Sequence, residues 1–494
     1  MACRYIARVA LSEVELVEGD AEPSFARSRR RWRWVAAIGA VVVVGGLLAG
    51  GQAVLDARER AHQARFDDVA GVLAPLAAQP RELWSMPAAG YGGSPLDGTV
   101  NVQGHLVAAS TDGATYTIRS IDRATGKGAW TITGEADVPT DVSDASTRCQ
   151  PLGTDALVAC VVEPNAVSAE TRRSLLVVID ASDGTVIDRR PLIETLWAAG
   201  GGAVVGATST RTDDATTWTL DARDVTGKQL WHRTLEPVAL SEADRSTDNK
   251  HSDETALHVS GSRAVLTASG AMWWFDRGVV KAEGDLPRDT TTELLDGVLV
   301  RTSWHRTASE DGTTMEEFPT GTSLLTLGHA PIDVDGDLVR PDVDDGSGGI
   351  VLVRNSDGVL TAYDTTSGRP RWSARAAWDG VLVLGGTVYQ VVGDAALSLV
   401  ARDAATGDVR WSQDIIQSGW AQYLATATDG RYVYAVGSAA LTPFAIDDGT
   451  PQPDRPLPTD LSRLSTFGFD TSHGVLLLMS QDEDGSTTST TAIG

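Results

Sequence analysis

The sequence predicts an all-β fold, a seven- or eight-bladed β-propeller of four-stranded blades, behind one N-terminal transmembrane helix. Three observations predict it. A motif joining an Asp, a Gly and a Trp recurs along most of the chain. Between its copies the sequence runs in short β-branched stretches cut by Gly, Asp and Ser, and one uninterrupted apolar stretch stands near the N-terminus. With 42% hydrophobic residues among 494, the chain can bury a core, which excludes wholesale disorder.

Residues 1–33 are a polar tail ending in the Arg-rich RSRRRWRW, expected to be disordered and cytoplasmic. Residues 34–55, with Gln52 as the only strongly polar side chain, match the ~20 residues that cross a bilayer core. Arg27, Arg29, Arg30, Arg31 and Arg33 precede this run, whereas Arg58, Arg60 and Arg65 after it alternate with Asp56, Glu59, Asp67 and Asp68. The positive-inside bias therefore makes the run a signal anchor in the cell membrane, with everything after Leu55 extracytoplasmic. A cleaved signal peptide is the alternative, because Gly51-Gln52-Ala53 is a small-x-small site. Residues 1–55 carry a net charge of +2, which leaves −27 of the total −25 on the remainder. Such an acidic ectodomain argues against nucleic acid as a partner, since binding phosphates needs clustered Lys and Arg.

Residues 56–80 continue with His62, Phe66, Val69 and Leu73 at roughly helical spacing, which predicts a helical stalk or linker ended by Pro75 and Pro80. Residues 81–481 are the expected propeller. Its clearest repeats are SIDRATGKGAW with Asp122, Gly126 and Trp130, DARDVTGKQLW with Gly227 and Trp231, AYDTTSGRPRW with Asp364, Gly368 and Trp372, and ARDAATGDVRW with Asp403, Gly407 and Trp411. Degenerate copies lie at Val177 to Asp188, Trp273 to Gly284, Glu316 to Leu325 and Phe444 to Thr450, giving up to eight units. Intervals of ~40–60 residues suit four-stranded blades. Within each unit an apolar run is a strand, D-x-x-T/S-G is a tight turn with a positive-φ Gly, and the run to Trp is the returning strand. The Trp then fills the gap between neighbouring blades. Trp84, in RELWSM, is an isolated outer strand that closes the ring with the last blade, for example on Gly474 to Ser480. Residues 482–494 are an acidic Ser/Thr tail.

Cys3 falls on the reducing side of the membrane, while Cys149 and Cys160 flank the turn residues Pro151 to Asp155 on the other side. A hairpin there brings the two sulfurs within disulfide reach. The weak metal candidates are Asp333, Asp335 and Asp337, alternating carboxylates beside Gly336 that could hold Ca²⁺, although their order departs from that of an EF-hand. Solvated acidic turns are the alternative. No H-E-x-x-H, nucleophile elbow or Lys-bearing phosphate loop occurs, and the His residues, His258 among them, are scattered over different repeats.

These repeats resemble the PQQ-like β-propeller family, which includes BamB-type assembly factors and quinoprotein alcohol dehydrogenases, and the resemblance covers most of residues 80–480. The layout of tail, anchor and acidic propeller resembles the membrane-anchored actinobacterial type. The enzymatic branch implies PQQ held in the central funnel against a Trp, often beside a disulfide between adjacent cysteines, with Ca²⁺ and an Asp base. Cys149 and Cys160 are eleven apart and no matching acidic set is evident, so no cofactor is expected. The expectation is a non-catalytic, membrane-anchored scaffold that binds an unknown protein or cell-envelope partner. A PQQ-dependent dehydrogenase and a ligand sensor are the alternatives.

Overall fold

The computed structural model describes residues 65–494 except 67–68, 88–98, 113–114, 124, 136–144, 154–155, 165–173, 241–254, 269, 288–289, 296, 309–314, 377–379, 394–396, 416–422, 438, 459–465, 471–473 and 482–486. The tail, the apolar run 34–55, the stalk up to residue 64 and Cys3 lie outside the described residues. Among the described residues no helix is long and apolar enough to cross a membrane.

Strands fall into nine sheets of four or five strands, numbered here as blades and antiparallel except where Val343–Asp344 pairs in parallel with Leu382–Leu384. Blade 1 is Val100–Val102, His105–Asp112, Thr115–Asp122 and Gly128–Glu135, and blade 2 is Ala145–Pro151, Leu157–Pro164, Ser174–Asp180 and Val186–Leu192. Blade 3 runs from Leu196–Gly200 to Gln229–Thr234, blade 4 from Ala256–Ser260 to Val279–Asp285, and blade 5 from Thr290–Leu295 to Ile332–Val334. Blade 6 runs from Asp337–Val339 to Pro370–Arg375, blade 7 from Leu382–Leu384 to Val409–Ile415, and blade 8 from Tyr423–Thr428 to Arg455–Pro456. Blade 9 joins Thr466–Asp470, Leu476–Gln481 and Thr487–Ile493 to Glu82–Pro87, the first strand of the chain.

A four-stranded sheet has two faces to cover and no second layer of its own, so each blade must pack on two neighbours. Nine buried apolar clusters do this, one per junction. Val107 and Ile118 of blade 1 meet Cys160 and Val177 of blade 2, for instance, and Leu352 and Leu360 of blade 6 meet Val383 and Val388 of blade 7. The last junction joins the ends of the chain: Trp84 and Leu477 of blade 9 pack against Leu106 and Ile121 of blade 1. Trp84 pairs with Ala492 in register, and Ser85 Oγ lies 3.1 Å from Thr491 Oγ1.

The recurring motif is the lock between blades. Asp122, Asp224, Asp364 and Asp403 each accept backbone N–H groups of their own turn on Oδ1, as Asp122 does from Thr125 at 2.8 Å. The Gly N–H then returns to the Asp carbonyl, at 2.8 Å for Gly126, Gly368 and Gly407 and 3.0 Å for Gly227. The Trp of one blade lies on the Gly of the next: Trp84 on Gly126, Trp130 on Gly184, Trp231 on Gly278, Trp372 on Gly407 and Trp411 on Gly449. The indole N–H is satisfied by the carbonyl one residue after the motif Asp in that next blade, Trp84 by Arg123 at 3.1 Å, Trp130 by Ala181 at 2.8 Å and Trp372 by Ala404 at 2.9 Å. Gly407 combines φ +76° with a Cβ direction that ends 2.5 Å from Trp372 Cγ. Gly407→Val is therefore expected to cost about 3 kcal/mol through strain and overpacking, seen as a lower urea midpoint at unchanged m.

Five expectations are corrected. The ring has nine blades among the described residues, not seven or eight. Blade 9 was uncounted because its outer strand comes from the other end of the chain and so has no Asp-Gly turn before it. The unit placed at Glu316 to Leu325 is one extended strand, Met315–Thr326, and blade 5 turns only after it. The helical stalk is absent over residues 69–80, which form turns and extended chain laid on the ring: Leu73 N–H bonds Thr428 O at 2.8 Å, and Arg455 donates to Leu76 O at 2.7 Å. Tyr434 accepts from this Arg455 at 3.1 Å and donates to the buried carboxylate of Asp429 at 2.6 Å, and burial with that carboxylate drives the phenol far above its ordinary pKa. The C-terminal segment is not a tail, since Thr487–Ile493 is the strand between Leu476–Gln481 and Glu82–Pro87. Trp84 thus pairs with this strand, and Gly474 to Ser480 lies one strand further in.

Candidate functional site: a cavity between blades 5 and 6

Blade 5 differs from its neighbours in strand length. Its two middle strands, Val298–Ala308 and Met315–Thr326, have 11 and 12 residues, whereas the facing inner strand of blade 6, Asp337–Val339, has 3. Where the two blades match, Val298, Val300 and Leu324 pack on Val351, Val353 and Leu338. Further along the same face of the strand Val300 gives way to Thr302 and Trp304 at period 2, and blade 6 offers no chain to cover them. A cavity of about 340 Å³ results, lined by Thr291, Thr292, Glu293, Val300, Thr302, Trp304, Asp337, Leu338 and Arg340. That volume falls within the ~300–1,000 Å³ range of small-molecule sites.

Its polar groups are organised by three blades. Trp304 Nε1 donates to Thr291 Oγ1 at 2.9 Å. Arg340 of blade 6 grips Glu293 of blade 5 with Nε at 3.0 and 2.8 Å from the two carboxylate oxygens, and with its second nitrogen on Oε2. Glu293 holds the guanidinium pKa above its ordinary value. On the blade 4 side, His258 Nε2 lies 3.1 Å from Thr292 Oγ1, which is 3.1 Å from Thr267 Oγ1. Burial pushes the His258 imidazole below its ordinary pKa, against the opposing charge of Glu293 and its bond to Thr292. A depressed histidine gives no stability difference above the unfolded pKa of ~6.5 and a growing loss as pH falls below it, because the unfolded chain takes the proton first. Melting temperature is expected to fall between pH 6.5 and 5 more steeply in the parent than in His258→Asn.

The residues singled out in the sequence lie elsewhere. The motif Asp, Gly and Trp residues are spread around the ring in the locks described above. Cys149 and Cys160 face each other across the first two strands of blade 2 and form a disulfide with Cα atoms 4.0 Å apart, both 3% exposed or less. Asp333 and Asp337 belong to successive blades: Asp333 accepts from Ser323 at 2.6 Å and sits 3.9 Å from Arg301, while Asp337 reaches the cavity rim. Asp335 lies in the connection between them. Among the described residues no three His, Cys, Asp or Glu side chains converge as a metal site. The disulfide joins opposed strands inside an apolar junction, and among the described residues no group of three acidic side chains converges beside a Trp. Sequence reasoning missed Thr291, Glu293, Thr302, Trp304 and Arg340. No sequence signal marked them, because Trp304 shares the lack of a Gly four residues before it with Trp84, Trp197, Trp218 and Trp273.

Residues 306–467 match the family model described as outer membrane protein assembly factor BamB. No curated protein matches the sequence. BamB from Moraxella catarrhalis is 12% identical, with 84% of this chain and 99% of that chain covered at a TM-score of 0.33. The quinohemoprotein alcohol dehydrogenase from Comamonas testosteroni is 11% identical, with 86% and 80% covered at 0.35. At such identities and scores these likenesses carry no argument about activity or partner.

Proposed function

We propose that this PQQ-like propeller is a non-catalytic binding scaffold, held in the cell membrane by residues 34–55 and presented on the extracytoplasmic side to a protein or cell-envelope polymer. The observation that supports it most is the cavity between blades 5 and 6, whose one cation, Arg340, is spent on Glu293. A general acid or base must be within reach of a reacting proton and tuned for transfer. Glu293 is instead clamped by Arg340, an arrangement that holds shape and charge balance. The Arg-rich flank and apolar length of residues 27–55 support the anchor.

Crosslinking in native membranes followed by identification of what co-purifies tests the scaffold, and resistance to alkaline extraction tests the anchor. The rival class is tested by incubating the purified chain with PQQ and Ca²⁺. Stoichiometric retention of the cofactor with turnover in a dye-linked alcohol assay overturns the proposal.

A further inference from the structure

We infer that the cavity between blades 5 and 6 binds a neutral saccharide unit. This rests on the scaffold reading above and names the ligand class of its site. Three features of the lining select that class. Trp304 is fixed by its N–H edge to Thr291, so what it offers the cavity is indole carbon. The negative face of an aromatic ring suits the weakly positive C–H groups of a pyranose. Beside it stand the hydroxyls of Thr291 and Thr302 and the carboxylate of Asp337, over an apolar floor of Val300 and Leu338. Thr291 Oγ1 accepts from the indole and keeps its own O–H to donate. Donors and acceptors thus surround an aromatic wall, which is the complement of a ring with hydroxyls on its rim and C–H on its faces.

Charge decides between neutral and anionic sugars. Arg340 is the only cation among the described lining residues, and its fork is bonded to both oxygens of Glu293. Asp337 adds a negative charge at the rim, with Asp333 and Asp335 exposed nearby in sequence. A phosphate or carboxylate on the ligand would meet a net negative lining, because the single charge of Arg340 is already matched by Glu293 and Asp337 adds another carboxylate. Glu293 and Arg340 therefore set the shape of the wall, while Trp304, Asp337 and the threonines make the contacts.

The test uses the full chain in detergent with three probes: chitotriose, maltotriose and trigalacturonate, read by saturation-transfer NMR and titration calorimetry. The expected result is binding of one or both neutral trisaccharides. Trp304→Ala should weaken it at least tenfold, Trp304→Phe should retain most of it, and Asp337→Asn should weaken it several-fold at unchanged melting temperature. No binding of any probe, preference for trigalacturonate, or binding insensitive to Trp304→Ala overturns the inference. If crosslinking captures a protein whose yield is the same for parent and Trp304→Ala while no probe binds, the saccharide assignment fails and the scaffold reading stands.

Discussion

Trp84→Ala is expected to lower stability by about 3–5 kcal/mol and to open the ring at one seam. The loss of packing alone follows from burial, since Trp84 is 8% exposed and sits between Leu477 and Leu106. The seam makes this position different from other locks. Trp372 is 9% exposed and bonds the next blade in the same way, but its strand is also tied to its own blade by the covalent hairpin of Asp364 to Arg369. The strand Glu82–Pro87 has no hairpin to blade 9 and is held there by its pairing with Thr487–Ile493. Both Trp84→Ala and Trp372→Ala should shift the urea midpoint by similar amounts. Only the former should let trypsin cut at Arg81 under conditions where the blades remain folded, because local opening follows the local free energy of the element. Equal cleavage of the two variants would contradict the closing role of this strand.

Cys149→Ala/Cys160→Ala is expected to cost about 3 kcal/mol, the loop entropy of a crosslink spanning 11 residues. The bond closes the first hairpin of blade 2 at Cys149 opposite Cys160, inside the junction with blade 1. Removing the sulfurs also leaves small voids beside Val107 and Ile118, so the loss should exceed that caused by reducing the parent. Three cysteines in the chain make the chemical check simple: one free thiol in the denatured protein without reductant and three with it. Three thiols without reductant would exclude the bond.

The turn chemistry was legible because it is local. Asp122, Asp364 and Asp403 each bond backbone groups two to four residues away, and their glycines take φ of 66–76°, all within one short window of sequence. The same holds for the disulfide hairpin. What each Trp bonds was not legible, because its acceptor lies 32–51 residues on, in the next blade. Substitutes for Trp were hidden for the same reason: Arg190, paired to Asp188, covers Gly227, and Ile332 covers Gly368. Neither follows the repeat, yet each fills the same place. The cavity was not visible, since the space arises from unequal strand lengths in two different blades.

Sequence alone determined the unit, an antiparallel hairpin closed by Asp and Gly and ended by Trp, because those preferences act through bonds and dihedrals a few residues apart. It also determined that such units must stack, because one sheet cannot bury both faces. Tertiary structure decided that there are nine of them, that Glu82–Pro87 and Thr487–Ile493 share a blade although Ser85 and Thr491 are 406 residues apart, and that one junction stays open beside Trp304. Those outcomes depend on how faces fit around a closed circle, a sum over non-local contacts that no single window of residues contains.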